Sequence, residues 1–443
     1  MKILKRILSA FFVLSLLFLL SSCEKSNPIS PTNQVIYPFS NGGVERNMIV
    51  ILSDMHLGAD LTYAECKNNL PALEKLIKQI KVSPNVKELV IGGDLIDEWF
   101  VPATDNTYQG LGQANFVSRL ASANSGVFAA LNSIIQEGLI LVTYVPGNHD
   151  LAITAASIES VLPGINQARD PVLGLGTYSP VGHPKIAIEH GHRYNFFCAP
   201  DPISNQNVAP GTIMPPGYFF TRIAALAYKQ GNPPPGDTTP IITRNTSGGT
   251  SQDYLYRYWE DWYMTVNLFP ISNRFDENLI VTNINGFTAT YKVNDLIPFQ
   301  LTPGGFIDVN LYNGIQDNWE PRQTYCNVPV HINTGIAIDS VNSSTYTDYQ
   351  ASLQYFMNPN SNVRLVVFGH THVPKISEYQ NYLNEKCVYA NSGTWIDNNP
   401  NLTSRHFIVI TPQSSDASSQ TLVKLYNFEN EVVTKMAESS LRY

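Results

Sequence analysis

Five short polar clusters punctuate the chain: Asp54-Met55-His56, Gly93-Asp94-Leu95-Ile96-Asp97, Gly147-Asn148-His149-Asp150, Glu189-His190-Gly191-His192 and Gly369-His370-Thr371-His372. Their functional groups are carboxylates, imidazoles and one amide, with no thiol among them. Mixed nitrogen and oxygen donors of this kind suit Mn, Fe or Zn ions in open sites, whereas structural zinc favours closed sets with cysteine. The inventory is large enough for two divalent ions. Two ions held about 3.5–4 Å apart make water nucleophilic and neutralise charge on a phosphoryl group. That is the chemistry such a set would serve.

Most clusters end a short apolar, β-branched run. Met48–Leu52, Glu88–Ile91, Leu139–Val145, Lys185–Ile188 and Arg364–Phe368 read as buried strands. An α/β sheet presents ligand-binding side chains at the carboxyl ends of its strands. Between the first two runs, Pro71 suits a first helical turn, and Leu70, Leu73, Leu76, Ile77 and Ile80 recur at helical spacing. A long helical pattern covers Phe116 to Gln136. The alternation of strand and helix predicts an α/β fold. Cys387–Ala390 and His406–Ile410 read as later strands, with Leu422–Phe428 as the last. Asp54 and His56 alternate, as do His370 and His372. On extended segments each pair would face one side.

The stretch between His192 and Arg364 is far longer than an ordinary connection. It contains two proline–glycine tracts and an aromatic run: Tyr254, Tyr256, Tyr258, Trp259, Trp262 and Tyr263. Residues 201–344 are therefore read as an insertion into a domain formed by 47–200 and 345–443. Both its ends emerge beside strands that carry candidate ligands, so the aromatic run is expected to wall the substrate pocket. The alternative is a scaffold extension away from the chemistry.

The amino terminus reads as a targeting segment. Lys2, Lys5 and Arg6 precede an apolar stretch from Ile7 to Leu20, shorter than the ~20 residues of a membrane-spanning helix. Leu20-Ser21-Ser22-Cys23 then resembles a bacterial lipobox. Residues 1–22 would be a signal peptide, Cys23 the site of lipid attachment, and 23–46 a polar, proline-containing tether. An ordinary signal peptide with an incidental Cys23 is the alternative. The expectation is an exported, lipid-anchored protein of the cell envelope. Cys66, Cys198, Cys326 and Cys387 show no CxxC spacing, and their pairing stays open. The net charge is −8, and no basic run follows the leader. A dedicated nucleic-acid surface is not evident, although bound metals could supply local positive charge to a nuclease.

The order DxH, GDxxD, GNH(D/E), H, GHxH resembles the calcineurin-like metallophosphoesterases, over about Met48–Arg193 and Val363–Ile410. The resemblance implies a four-layer α/β/β/α sandwich with a dinuclear centre. Asp54, His56 and His372 would hold one ion, Asn148, His190 and His370 the other, and Asp94 would bridge. His149 would face the substrate as general acid, or stabilise charge on the leaving oxygen. Asp97 would orient it and raise its pKa. Arg193 could clamp a phosphate or form a surface pair, and His192 could ligate or support a ligand. Protein Ser/Thr phosphatases of this superfamily carry arginine directly after GDxxD. Glu98 stands there in this chain, which counts against that activity. Gly93–Trp99 and Ser53–Gly58 look closer to the UDP-diacylglucosamine pyrophosphohydrolase branch, although the long insertion and the leader depart from it. The expected function is hydrolysis of a phosphomonoester, phosphodiester or pyrophosphate in a phosphorylated small molecule or a lipid or sugar phosphate. A nuclease or nucleotidase is the competing enzyme reading. A non-catalytic surface module that keeps the metal site is the competing reading of another class.

Overall fold

The computed structural model describes residues 37–400, 403–414 and 419–443. The leader with Cys23 lies outside them. The chain runs β1 (Met48–Leu52), α1 (Leu70–Lys81), β2 (Val86–Gly92), α2 (Gln113–Ala123), α3 (Ser125–Glu137) and β3 (Leu141–Val145). It continues with α4 (Ala155–Val161), β4 (Asn166–Gln167), β5 (Thr177–Tyr178) and β6 (Ile186–Glu189). The long middle segment holds α5 (Pro216–Lys229) and α6 (Gly249–Leu268). Two small ribbons follow, β7 (Ile280–Val281) with β8 (Thr290–Tyr291) and β9 (Phe299–Gln300) with β10 (Ile307–Asp308). Then come α7 (Trp319–Tyr325), α8 (Thr334–Asp339) and α9 (Ser344–Ala351). Six strands close the chain: β11 (Leu365–Phe368), β12 (Lys375–Gln380), β13 (Lys386–Asn391), β14 (His406–Thr411), β15 (Thr421–Glu429) and β16 (Val432–Leu441).

These strands form two large sheets, in the orders β16-β15-β14-β1-β2-β3-β4 and β12-β13-β11-β6-β5. β1 to β4 run parallel, as do β6, β11 and β13. The period of two along each strand divides its side chains between two cores. Ile49 and Ile51 of β1 meet Ile186, Ile188, Leu365 and Val367 in a core between the sheets. Val50 and Leu52 point the other way, into a core shared with Leu73, Leu76, Ile77 and Ile80 of α1. Burying each such side chain is worth roughly 1.5–3 kcal/mol relative to exposure. The result is the α/β/β/α sandwich that the sequence led us to expect.

Three elements differ from expectation. The single helix over Phe116–Gln136 is two helices that meet at Asn124. Its side-chain amide donates to Leu120 O (2.8 Å) and Gly58 O (2.9 Å), competing with the helical ladder. The break lets α3 lie against α1, where a Cβ on Gly126 would clash with the Glu74 carboxylate. Leu422–Phe428 is not the last strand. Asn430 and Glu431 both adopt positive φ (48° and 64°), making a tight hairpin into β16. β12 was also illegible, because its side chains are half-buried or exposed along an edge.

The aromatic run of the insertion is core rather than pocket wall. Tyr258, Trp259 and Trp262 are buried. Trp262 stacks on Phe220 with centroids 3.9 Å apart, and Tyr258 stacks on Phe197 at 5.4 Å. Two buried arginines fasten this segment to the sandwich. Arg222 donates to the carbonyls of Val101 (2.6 Å), Pro102 (3.0 Å), Ala103 (3.3 Å) and Val281 (2.9 Å). Arg322 donates to Phe196 O (2.9 Å) and Ala199 O (2.7 Å). Cys66, Cys198, Cys326 and Cys387 are all free. Each buried carbonyl left without a donor costs about 1–3 kcal/mol. Arg222→Ala strands several at once, so urea denaturation should show a loss on the order of 3 kcal/mol or more.

Candidate metal centre and its cavity

Asp54, Asp94 and Asn148 follow β1, β2 and β3, while His190 and His370 follow β6 and β11. The carboxyl ends of the parallel strands in both sheets thus converge on one point. The backbone that carries them is not extended, contrary to the alternation argument. Asp54, His56, Asp94, His370 and His372 all lie in the left-handed region, with φ of 52°, 46°, 51°, 66° and 58°. Such conformations cost on the order of 1–3 kcal/mol each and persist where surrounding contacts dictate them.

Those contacts are specific. The loop after β1 continues to pair with the loop after β2: Met55 N and His56 N donate to Asp94 O, each at 2.9 Å, and Leu57 N to Leu95 O at 3.0 Å. Asp54 O accepts from Trp395 N (2.9 Å) and Thr394 Oγ1 (3.0 Å). Its carboxylate accepts from His370 N (3.0 Å) and from Ser53 Oγ. Glycine is required where one loop crosses the ligand of another. A Cβ on Gly369 would clash with Asp54, and one on Gly93 with His190. Asp150 accepts from Leu95 N (2.9 Å) and Gly147 N (2.6 Å), which locks the second cluster to the third.

Two of the three groups of close donor atoms share Asp54, namely Asp54, His56 and His372, and Asp54, Asp94 and His190; the third gathers His56, Glu65, Asp97 and His149. His372 Nε2 lies 3.2 Å from both Asp54 Oδ1 and His56 Nε2. His190 Nε2 lies 3.0 Å from Asp94 Oδ2 and 3.1 Å from Asn148 Oδ1, and His370 Nδ1 is 2.8 Å from that amide oxygen. Donors bound to one ion at about 2.0–2.2 Å stand roughly 3–3.5 Å from each other, so these spacings suit a shared cation. The tautomers agree. His190 Nδ1 donates to Gly92 O (2.9 Å), which leaves the Nε2 lone pair facing two oxygens. A cation or a proton must sit among them. Burial disfavours charge on the ring, but Asp94 and Asp54 outweigh it and raise His190 to about 9. Burial and the His190 charge push His370 down to about 3, keeping it a neutral donor. The residues present therefore fit divalent metal.

Beside this centre, His149 Nδ1 stands 2.8 Å from Asp97 Oδ1. Burial opposes protonation of His149, but the Asp97 charge prevails and raises its pKa. Asp97 also receives Trp99 N (3.0 Å) and Phe100 N (2.7 Å), so the carboxylate is fixed before it fixes the imidazole. The Trp99 ring stacks on His149 with centroids 4.9 Å apart. Glu65, with no motif to mark it, brings Oε2 within 3.1 Å of His56 Nδ1. Only its place in the fold identifies it.

Two weaker expectations change. Arg193 is buried among Glu189 (2.8 Å), Asp170 (2.7 Å), Thr177 Oγ1 (3.0 Å) and Cys326 O (3.2 Å), so its guanidinium is occupied by groups of the fold. His192 donates from Nε2 to Gly174 O (2.9 Å) and packs 5.4 Å from the His190 ring as a neutral support.

The centre opens into a cavity of about 900 Å³. His56, Asp94, Asn148, His149, His370 and His372 line one part of it, and the insertion supplies another wall. Gly217, Phe220, Thr221, Ala224 and Tyr228 form one stripe of α5, and Asp261 and Thr265 form one of α6. Both follow helical spacing. The insertion does border the cavity, through residues other than its aromatic run.

The calcineurin-like phosphoesterase family model matches residues 48–214, from β1 to the start of the insertion. That span carries Asp54, His56, Asp94, Asn148, His149 and His190 but not His370 or His372. No curated protein matches the chain. A ligand that binds only the folded state raises the unfolding midpoint. Mn²⁺ or Zn²⁺ should therefore raise Tm in scanning calorimetry, and Asp54→Asn, which touches both donor groups, should remove most of that rise.

Proposed function

We propose that this chain is a calcineurin-like phosphoesterase that hydrolyses a phosphate ester at a dinuclear metal centre. The supporting observation is the convergence of two donor groups, joined by Asp54 and Asp94, beside an oriented His149 at the cavity wall. Asp54, His56 and His372 would hold one ion, and Asn148, His190 and His370 the other. Asp94 Oδ2 stands 3.5 Å from His56 Nε2 and 3.0 Å from His190 Nε2, in reach of both sets, and would bridge them. The ions, when bound, supply Lewis acidity toward the phosphoryl oxygens and lower the pKa of the attacking water.

The chain's own groups do the rest. His149 N donates to Asp94 Oδ1 (2.8 Å), so the imidazole is carried at a fixed offset from the bridging carboxylate. With Nδ1 held by Asp97, Nε2 of the protonated ring faces the cavity and gives its proton to the leaving oxygen. Trp99 limits rotation of the ring. A cavity of about 900 Å³ suits a small-molecule ester. No lysine or arginine is among the described residues that line it. That disfavours the nuclease reading, because nucleic-acid backbones are bound through such cations.

The test is a hydrolysis panel of phosphomonoesters, phosphodiesters and pyrophosphates with added Mn²⁺. His149→Ala should lose about 10²–10⁴-fold in kcat on alkyl esters while keeping its metal. The loss should be much smaller on nitrophenyl phosphate, whose leaving group needs no proton. An equal loss on both would exclude the acid role. An inert metal-loaded wild type would point to the binding module. Export with lipid on Cys23 remains part of the proposal, supported by the leader pattern. Cys23→Ala should move the protein from the membrane to the soluble fraction, and unchanged fractionation would refute it.

A further inference from the structure

The cavity wall made by α5 and α6 has a charge character of its own. Among the described residues, the cations on or beside these two helices are already paired. On α5, Arg222 is committed to backbone carbonyls, and Lys229 pairs with Asp105 at 2.7 Å. On α6, Arg257 pairs with Asp253 (2.7 Å) and Asp339 (2.9 Å). Arg244 pairs with Asp253 and lies 3.7 Å from Glu260.

Asp261 is different. It is half-buried on the cavity face of α6 and has no hydrogen-bond or ion-pair partner for its side chain among the described residues. Burial, with Glu260 and Asp339 nearby, pushes its carboxyl up to about 8. Its ionised form therefore lacks a counter-charge in the protein alone. Around it the wall is aromatic. Phe220 stacks on Trp262 at 3.9 Å and meets Phe197 edge-on at 4.7 Å, and Phe100 approaches Tyr228 at 6.2 Å. Aromatic faces beside a carboxylate are the surroundings that recognise ammonium groups.

We propose that this wall is a subsite for a cationic group, an ammonium carried by the substrate, with Asp261 as its counter-charge. The proposal rests on the phosphoesterase reading and narrows it. The substrate is a zwitterion, its phosphoryl group at the metals and its ammonium against α5 and α6. A second anionic group in the same place would meet Asp261 and no cation.

Two phosphonates without a scissile P–O ester bond separate charge from shape: 2-(trimethylammonio)ethylphosphonate and its carbon isostere 3,3-dimethylbutylphosphonate. Isothermal titration into the full chain loaded with Mn²⁺ should show the ammonium compound binding about tenfold tighter, the scale of a partly desolvated cation–π and charge contact. D261N, with folding checked by circular dichroism, should bind the two alike. Equal affinities in the wild type, no binding of either compound, or a preference that survives D261N would each overturn the subsite. Nitrophenyl phosphate hydrolysis by the same wild-type preparation separates the two ideas. Hydrolysis without the ammonium preference leaves the phosphoesterase reading standing and removes the subsite. The preference without hydrolysis does the reverse.

Discussion

Asp54 is the joint on which the two sheets are registered. Its carboxylate accepts the backbone N–H of His370 from the second sheet, and its carbonyl is held by Thr394 and Trp395. Its own N–H donates to Gly93 O, 3.1 Å away, at the end of β2. One buried residue thus ties the loops after β1, β2, β11 and β13. The same carboxylate belongs to both donor groups. The structural role and the proposed ligand role therefore coincide at this position, and a charge lost there would disturb the spacing of the other donors. The left-handed backbone of five site residues follows from this. The chain bends sharply because each loop must turn back toward a ligand presented by its neighbour, and the interlocked hydrogen bonds offset the strain.

The insertion is governed by a second constraint. Its helices must sit beside the centre without adding flexible loops at the cavity edge. Buried guanidinium groups accomplish this by gathering carbonyls from both sides of the junction. Arg222 binds the Val101–Ala103 turn, which follows directly from Asp97, Trp99 and Phe100. The segment that positions His149 is thereby hydrogen-bonded to α5, which walls the cavity.

Much of this was legible in the residues. The strands that carry the clusters and the apolar face of α1 follow from alternation and spacing, whereas the division into four layers came only from the resemblance of the motifs to a known family. What was hidden depends on contacts distant in sequence. Asn124 breaks a helix because Gly58 is near, which no local pattern reveals. β12 and β16 are polar edge strands whose alternation carries little hydrophobic signal. The run from Tyr254 to Tyr263 looked like a binding surface because it is aromatic. Its period of about 3.6 instead sends Tyr258 and Trp262 inward and turns Asp261 and Thr265 to the cavity. Glu65 and Asp261 stand in no motif, and Arg193 looked available until the fold placed Glu189 and Asp170 against it.

The uneven charge of the cavity bears on how substrate arrives. The chain carries a net −8, and the cavity lining includes Glu65, Asp94, Asp261 and Asp397 with no lysine or arginine among the described lining residues. Proteins that capture anions quickly surround the entrance with cations and gain encounter rate from long-range attraction. On net charge alone, a polyanion approaches this chain against long-range repulsion. Screening by salt shortens the reach of that repulsion to about 10 Å at 0.1 M ionic strength. Added salt should then speed the capture of anionic esters rather than slow it. A compound of balanced charge would cross the same entrance with its rate nearly indifferent to ionic strength.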